Sequence, residues 1–210
     1  MDKKTTILFV TSNLGKLSEA KIALKPFGIN VEAFQFNEEI SEIQEIQSSN
    51  LHFVAADKLT KAVSIVKDSS DKIGVMVEDA GFFLEEFNGF PGVYSAYVHK
   101  TLGNQGILRT LNGVENRSAI FRCVIGIYLN GKEIFFEGLC NGQVSKKATG
   151  KNGFGYDPIF IPDGGDGRTF AEMNSEEKQI FSHRGKALKK LRDYFEERNQ
   201  SPTSNHGSES

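Results

Sequence analysis

The apolar run Ile7, Leu8, Phe9, Val10 breaks off into the polar stretch Thr11, Ser12, Asn13, Leu14, Gly15, Lys16, and the helix-like LSEAKIALKPFG follows at once. A strand that turns through a short polar loop into a helix is a feature of α/β proteins. It aims backbone N–H groups and a positive dipole end at whatever lies above the loop. A phosphate suits that place, and an ordinary capped turn has the same sequence pattern. The spacing of the glycine-rich nucleotide loop, GxxxxGK followed by Ser or Thr, is absent: Gly15 stands alone and Lys16 precedes Leu17.

The hydrophobic pattern then alternates between the two periods. It predicts a strand over 6–11, a helix from 16 to about 25 closed by Pro26 and Gly28, and a strand in INVEAFQF. After the acidic EEISEIQEIQ, the positions Leu51, Val54, Ala55, Leu59, Ala62, Val63 and Val66 follow the 3.6-residue period of a helix. Lys58 falls on that apolar stripe, seven residues after Leu51. It either snorkels from the stripe's edge or aims its ammonium into a polar cleft. The run KIGVMVEDAGF reads as a buried strand (Ile73, Val75, Met76, Val77) ending in Glu78 and Asp79, with Gly81 in the turn. Acids there sit where open α/β sheets bind ligands, or else serve as a helix cap and a solvated loop acid.

FPGVYSAYV predicts a Pro-Gly turn into a helix that continues through GNQGILRTLNG to Gly113. Asn130-Gly131 lies between two strand-like runs and is the strongest short-range hairpin signal. Residues 149–168 hold six glycines and three aromatics, which suits a binding loop better than a regular element. Helix signals return at Ser175, with Ala187, Leu188, Leu191, Tyr194 and Phe195 on one face. The polar NQSPTSNHGSES follows. The organisation expected is one domain over 1–197 and a disordered tail over 198–210.

With 210 residues and 39% hydrophobic content, the chain can bury one full core. Its 25 Lys and Arg against 27 Asp and Glu give no global basic field for a nucleic-acid backbone or an anionic membrane, so a polyanionic ligand must be met by local cations. Cys123 and Cys140 match no metal-ligand spacing and read as buried thiols of a reducing compartment. The first apolar run is too short for a signal or a membrane span, and a cytoplasmic location is expected.

Ser182, His183 and nearby acids could suggest a hydrolytic triad, but Ser182 sits in IFSHRG rather than in the GxSxG of a nucleophile elbow. Lysines and carboxylates without a nucleophile instead describe a site for a metal-bound polyphosphate. Carboxylates hold Mg²⁺, cations neutralise phosphate oxygens, and a free carboxylate can take a proton from attacking water. Phe154 offers a face for a base, and Arg184 and His183 can donate to a carbonyl on it. A nucleotide whose base is read is the substrate these features predict.

TSNLGK, VEDAGF, FPGVYSA, GFGYDPIF and EKQIFSHRGKAL occur in the order and at the intervals of the inosine triphosphate pyrophosphatase family, which the chain resembles from about residue 6 to 195. The resemblance implies an elongated α/β fold, with a mixed central sheet, flanking helices and two lobes around a cleft. It implies Mg²⁺-dependent hydrolysis of ITP, dITP and XTP to the monophosphate and pyrophosphate, usually by a homodimer. Carried over by position, Asn13, Lys16 and Lys58 would hold phosphate, Thr11 and Ser12 would bind substrate beside them, and Asp79 would be the general base. Glu45, Glu78 and Asp79 would hold the metal, with Glu42 an alternative to Glu45. Phe154 would stack on the purine, with Gly155, Tyr156 and Asp157 beside it, and Lys178, Ser182, His183 and Arg184 would close the site. Ala80 departs from the serine many members have after the acid pair. Two other readings stay open: a nucleotide-binding regulator without turnover, and a pyrophosphatase for modified pyrimidine or methylated nucleotides.

Overall fold

The computed structural model describes residues 6–35, 43–66 and 73–200. Strand β1 (Thr6–Phe9) lies between two parallel neighbours, β2 (Asn30–Ala33) and β3 (Ile73–Leu84). At its far end β3 takes on the dipeptide strand β4 (Pro91–Gly92). Along its other edge the pairing is antiparallel, through β5 (Ser118–Leu129), β6 (Lys132–Val144) and the short β7 (Phe160–Pro162). The result is a mixed sheet in the order β2-β1-β3-β5-β6-β7. The hairpin predicted at Asn130-Gly131 is present: Leu129 pairs with Lys132, and the two turn residues have φ of 51° and 75°. Positive φ at both positions is what a type I′ turn requires.

Among the described residues five helices flank the sheet: α1 (Leu14–Leu24), α2 (Leu51–Val66), α3 (Ser95–Thr110), α4 (Ser175–Phe181) and α5 (His183–Gln200). Helices α1 and α5 cover one face, packing Leu17, Leu24, Leu188 and Leu191 against Phe9, Met76 and Ile125. Helix α2 covers the other, where Leu59, Ala62 and Val66 meet Val10, Val75 and Val77. A separate core forms where β3 and β5 run on past these helices. There Phe82, Leu84 and Phe121 pack with Val98 and Ile107 of α3 and with Tyr156, Phe160 and Phe170. The two long strands thus carry two cores, one at each end, and these are the lobes the fold was expected to have. Cys123 and Cys140 are buried free thiols, as expected.

Strand β3 does not end at its acids. It continues through Gly81 to Leu84, and Gly81 marks a close approach instead of a turn: a Cβ there would meet the Gly92 carbonyl oxygen at 2.7 Å and the Phe83 ring at 2.6 Å. The partner on that edge changes, however. The β1 pairing stops at Met76 and the β4 pairing begins at Phe82, so Val77–Gly81 have neither strand beside them. The acids therefore lie where the sheet opens. Helix α3 also departs from a single run, because Gly103 (φ 63°, ψ −175°) breaks it. Helix α5 continues to Gln200, past the expected domain end at 197; residues 201–210 lie outside the described residues.

Candidate active site

The first loop is a capped turn, and its lysine faces an acid. Asn13 Oδ1 accepts from the Lys16 N–H (3.0 Å) and Thr11 Oγ1 accepts from the Asn13 N–H (3.1 Å), so these side chains shape the start of α1. Ser12 is exposed beside them. From the first turn of α1, Lys16 Nζ reaches the open stretch of β3, 3.4 Å from Glu78 Oε1 and 3.5 Å from the Glu78 carbonyl oxygen. The capped-turn reading of this loop holds, and its lysine stands at the open part of the sheet.

Successive residues of a strand point to opposite faces, and this separates the two acids. Glu78 faces α5, where Arg184 grips it with two parallel bonds (Nε to Oε2, 2.6 Å; the second guanidinium nitrogen to Oε1, 2.8 Å). Both partners are 2% exposed. Burial alone would push the Glu78 carboxyl up, but Arg184, and then Lys16, bring it down to about 2. Asp79 faces the other way, toward Lys58 of α2, which is ion-paired to Glu45. Burial raises the Asp79 carboxyl to about 6, against the pull of Lys16 and Lys58 and with a further push from Glu45. Its Oδ2 is buried without a hydrogen-bond partner. Lys58 is thus off the core stripe in function, an ammonium aimed at carboxylates. Glu42 lies outside the described residues.

At the other end, Gly153 and Gly155 adopt left-handed φ of 72° and 64°, which turns the chain so that Asp157 Oδ2 accepts from the Phe154 N–H at 2.7 Å. Lys178 Nζ, from α4, binds that same oxygen at 2.7 Å and stands 4.8 Å from the centre of the Phe154 ring. Burial raises the Asp157 carboxyl, with Lys178 opposing. The ring lies over the first loop: a Cβ on Gly15 would come within 2.6 Å of it. Tyr156 points away, its hydroxyl donating to the Ser95 carbonyl (3.0 Å) and its ring stacked on Phe82. Ser182 caps α5, accepting from the Gly185 N–H at 2.9 Å. The His183 ring lies parallel to Phe121 at 4.7 Å; burial, with Arg184 next, holds it well below the usual histidine range, so it is a neutral imidazole with a buried, unpartnered Nδ1.

Glu19 joins the two ends, and sequence reasoning missed it. Its Oε1 accepts from Lys178 (2.8 Å) and its Oε2 from Arg184 (2.6 Å), and these two cations hold its carboxyl below the usual range despite burial. The signal was present one turn beyond Lys16, on the same side of α1. The Arg184 guanidinium, expected to donate to a base, gives three of its five N–H groups to Glu78 and Glu19 in this structure. Asn13, Lys16, Phe154, Asp157, Lys178 and Arg184 line a cavity of about 300 Å³, with His99 and Ser95 of α3 on its far wall. Asp79, Glu45 and Lys58 lie across β3 from it.

A cavity lined by an aromatic ring, next to an open stretch of sheet where lysines flank a buried carboxylate, suits a ring attached to an anionic chain. The Ham1 family model matches residues 7–194, and the chain belongs to that family. It is 45% identical to a dITP/XTP pyrophosphatase of Pyrococcus horikoshii over 183 residues, 87% of this chain and 92% of the relative. It is 43% identical to one of Methanopyrus kandleri, over 90% and 95% of the two. Among solved structures it resembles the Staphylococcus aureus Ham1 protein (TM-score 0.76, 27% identity, 92% of this chain and 99% of that one). A nucleoside-triphosphatase/dITP/XTP pyrophosphatase from Mycobacterium abscessus is also similar (TM-score 0.61, 32% identity, 89% and 98% coverage). These relatives agree with the resemblance drawn from the motifs.

Proposed function

We propose that this chain hydrolyses aberrant purine nucleoside triphosphates, ITP, dITP and XTP, to the monophosphate and pyrophosphate. The observation that carries the reading is Asp79: a buried carboxylate, one oxygen unpartnered, flanked by lysines on two helices at the open part of the sheet. Asp79 takes a proton from water, whose oxygen attacks the α-phosphorus while the α–β anhydride bond breaks and pyrophosphate leaves. Lys16 and Lys58 neutralise the phosphate oxygens. The ring of Phe154 supports the purine, and Lys178, which spends two of its three N–H groups on Glu19 and Asp157, keeps one beside that ring.

The donor set also fits Mg²⁺. Among the described residues no cluster of three or more metal-binding side chains is present, and Mg²⁺ is commonly held by one or two carboxylates together with substrate phosphates. Asp79 and Glu45 would hold it; Glu78, with both oxygens on Arg184, would not. Bound there, the ion would offset charge on the triphosphate. A 6-carbonyl on hypoxanthine or xanthine accepts from Lys178 or the neutral His183, whereas the 6-amino group of adenine would leave those buried donors unpaired. A homodimer and a cytoplasmic location belong to the same reading. Exposed Phe90 and Tyr94 ahead of α3 and Tyr97 in its first turn support the dimer, and no described helix is long and apolar enough to cross a membrane.

A panel of ITP, dITP, XTP, GTP, ATP and a modified pyrimidine triphosphate, with pyrophosphate and orthophosphate measured separately, tests the reading. Pyrophosphate from the first three, at rates well above the rest, is expected. Orthophosphate as first product, or equal turnover of ATP, overturns it.

A further inference from the structure

The stacking platform is held from one side by Asp157. It is held from the other by a residue of α3 that neither motif nor mechanism has used. Gly103 breaks α3 with a φ of 63°, and the residue that opens the second segment, Asn104, donates from Nδ2 to the Gly155 carbonyl at 3.1 Å, across 51 positions of sequence. Gly155 is the neighbour of Phe154 and is itself in the left-handed region, yet a Cβ built on it would meet nothing within 4 Å. Packing therefore does not impose the conformation of this glycine. The bonds on either side of it do: Asn104 on its carbonyl, Tyr156 anchored through its hydroxyl to Ser95, and Asp157 on the Phe154 N–H. Two of these three holds run to α3.

We propose that Asn104 is a positioning residue for base recognition. By fixing the Gly155 carbonyl it sets the plane of the Phe154 ring, and so the affinity for the purine half of the substrate, without touching the nucleotide. The break at Gly103 is what turns Asn104 toward the loop. This rests on the proposed function, and the two fail differently.

The test is Asn104→Asp, which keeps size and shape but replaces the donor with an acceptor facing a carbonyl. The KM for XTP should rise about five- to tenfold, the effect of losing one hydrogen bond, with kcat within about twofold. The inhibition constant of inorganic tripolyphosphate, which has no base, should stay unchanged. Asn104→Gln, a donor on a longer stem, should recover part of the loss. Asn104→Ala serves as a second variant should the aspartate chain fail to fold. An unchanged KM in either variant overturns the proposal. So does a tripolyphosphate constant that rises in step with KM, or loss of folding in both variants, since each makes Asn104 a general structural residue. Failure of the proposed function would show earlier, as a wild-type chain that releases no pyrophosphate from any nucleotide. In that case, nucleotide affinity measured by calorimetry takes the place of KM.

Discussion

Replacing Asp79 by asparagine should destroy turnover and stabilise the fold in the same stroke. The carboxyl has an ordinary value of 3.8 and is raised to about 6 by burial that Lys16 and Lys58 only partly offset. A group whose folded value lies above its unfolded one binds its proton more tightly in the native state. Its stabilising contribution is complete below about 3.8 and is lost as pH rises through about 6. The gap between the two values corresponds to about 3 kcal/mol at neutral pH, at 1.4 kcal/mol per unit. An asparagine never ionises and escapes that penalty. Asp79→Asn should therefore melt about 6 to 12 °C above wild type at pH 8, taking about 2 to 4 °C per kcal/mol for a domain of this size, and the difference should vanish near pH 4. The assay is thermal unfolding from pH 4 to pH 8 in the presence of a chelator, because a cation at the carboxylates would offset the same penalty. Pyrophosphate release is followed in parallel. A variant that melts at or below wild type at pH 8, or a gap that does not close on acidification, would refute the electrostatic account of Asp79. Retained kcat would refute its role as base.

Three further outcomes are expected. Below about pH 6, kcat/KM should fall tenfold per unit as Asp79 takes up its proton, a limb absent if another group is the base. Arg184→Met should leave the buried Glu78 with Lys16 but without its bidentate partner and cost about 3 to 5 kcal/mol in urea unfolding; it should lower activity on ITP and ATP by similar factors, and a loss confined to ITP would return Arg184 to the role of base donor. Gly15→Ala should push a methyl into the Phe154 ring and raise KM for every purine substrate alike, as Phe154→Ala should, which competition kinetics across the nucleotide panel will show.

The features legible in the sequence were the ones written locally. Asn130-Gly131 announced its hairpin because both positive φ values reside in the turn itself. Lys58 announced itself as a cation where the helical period asked for an apolar residue. Gly81 misled because glycine serves turns and close approaches equally, and only the position of β4 tells which. The pairing of Arg184 with Glu78 and the bridge at Glu19 could not be read from spacing, since the partners stand 106 and 165 positions away. Asn104 was hidden for the same reason, behind a helical pattern that gave no hint of the break at Gly103.

Lys16, Glu78, Arg184, Glu19, Lys178 and Asp157 form one file of charges in strictly alternating sign. Such a file constrains how the protein can evolve. Loss of any inner member leaves two like charges facing each other at buried positions: Glu78 against Glu19 without Arg184, or Arg184 against Lys178 without Glu19. Single steps are therefore penalised at four of the six positions, while the simultaneous loss of an adjacent acid and base keeps the alternation intact. Drift at these residues should proceed in neighbouring pairs, and effects measured one substitution at a time should fail to add. Diverged relatives that have given up Glu19 are expected to have given up Arg184 or Lys178 with it, and their choice of base should have moved at the same step.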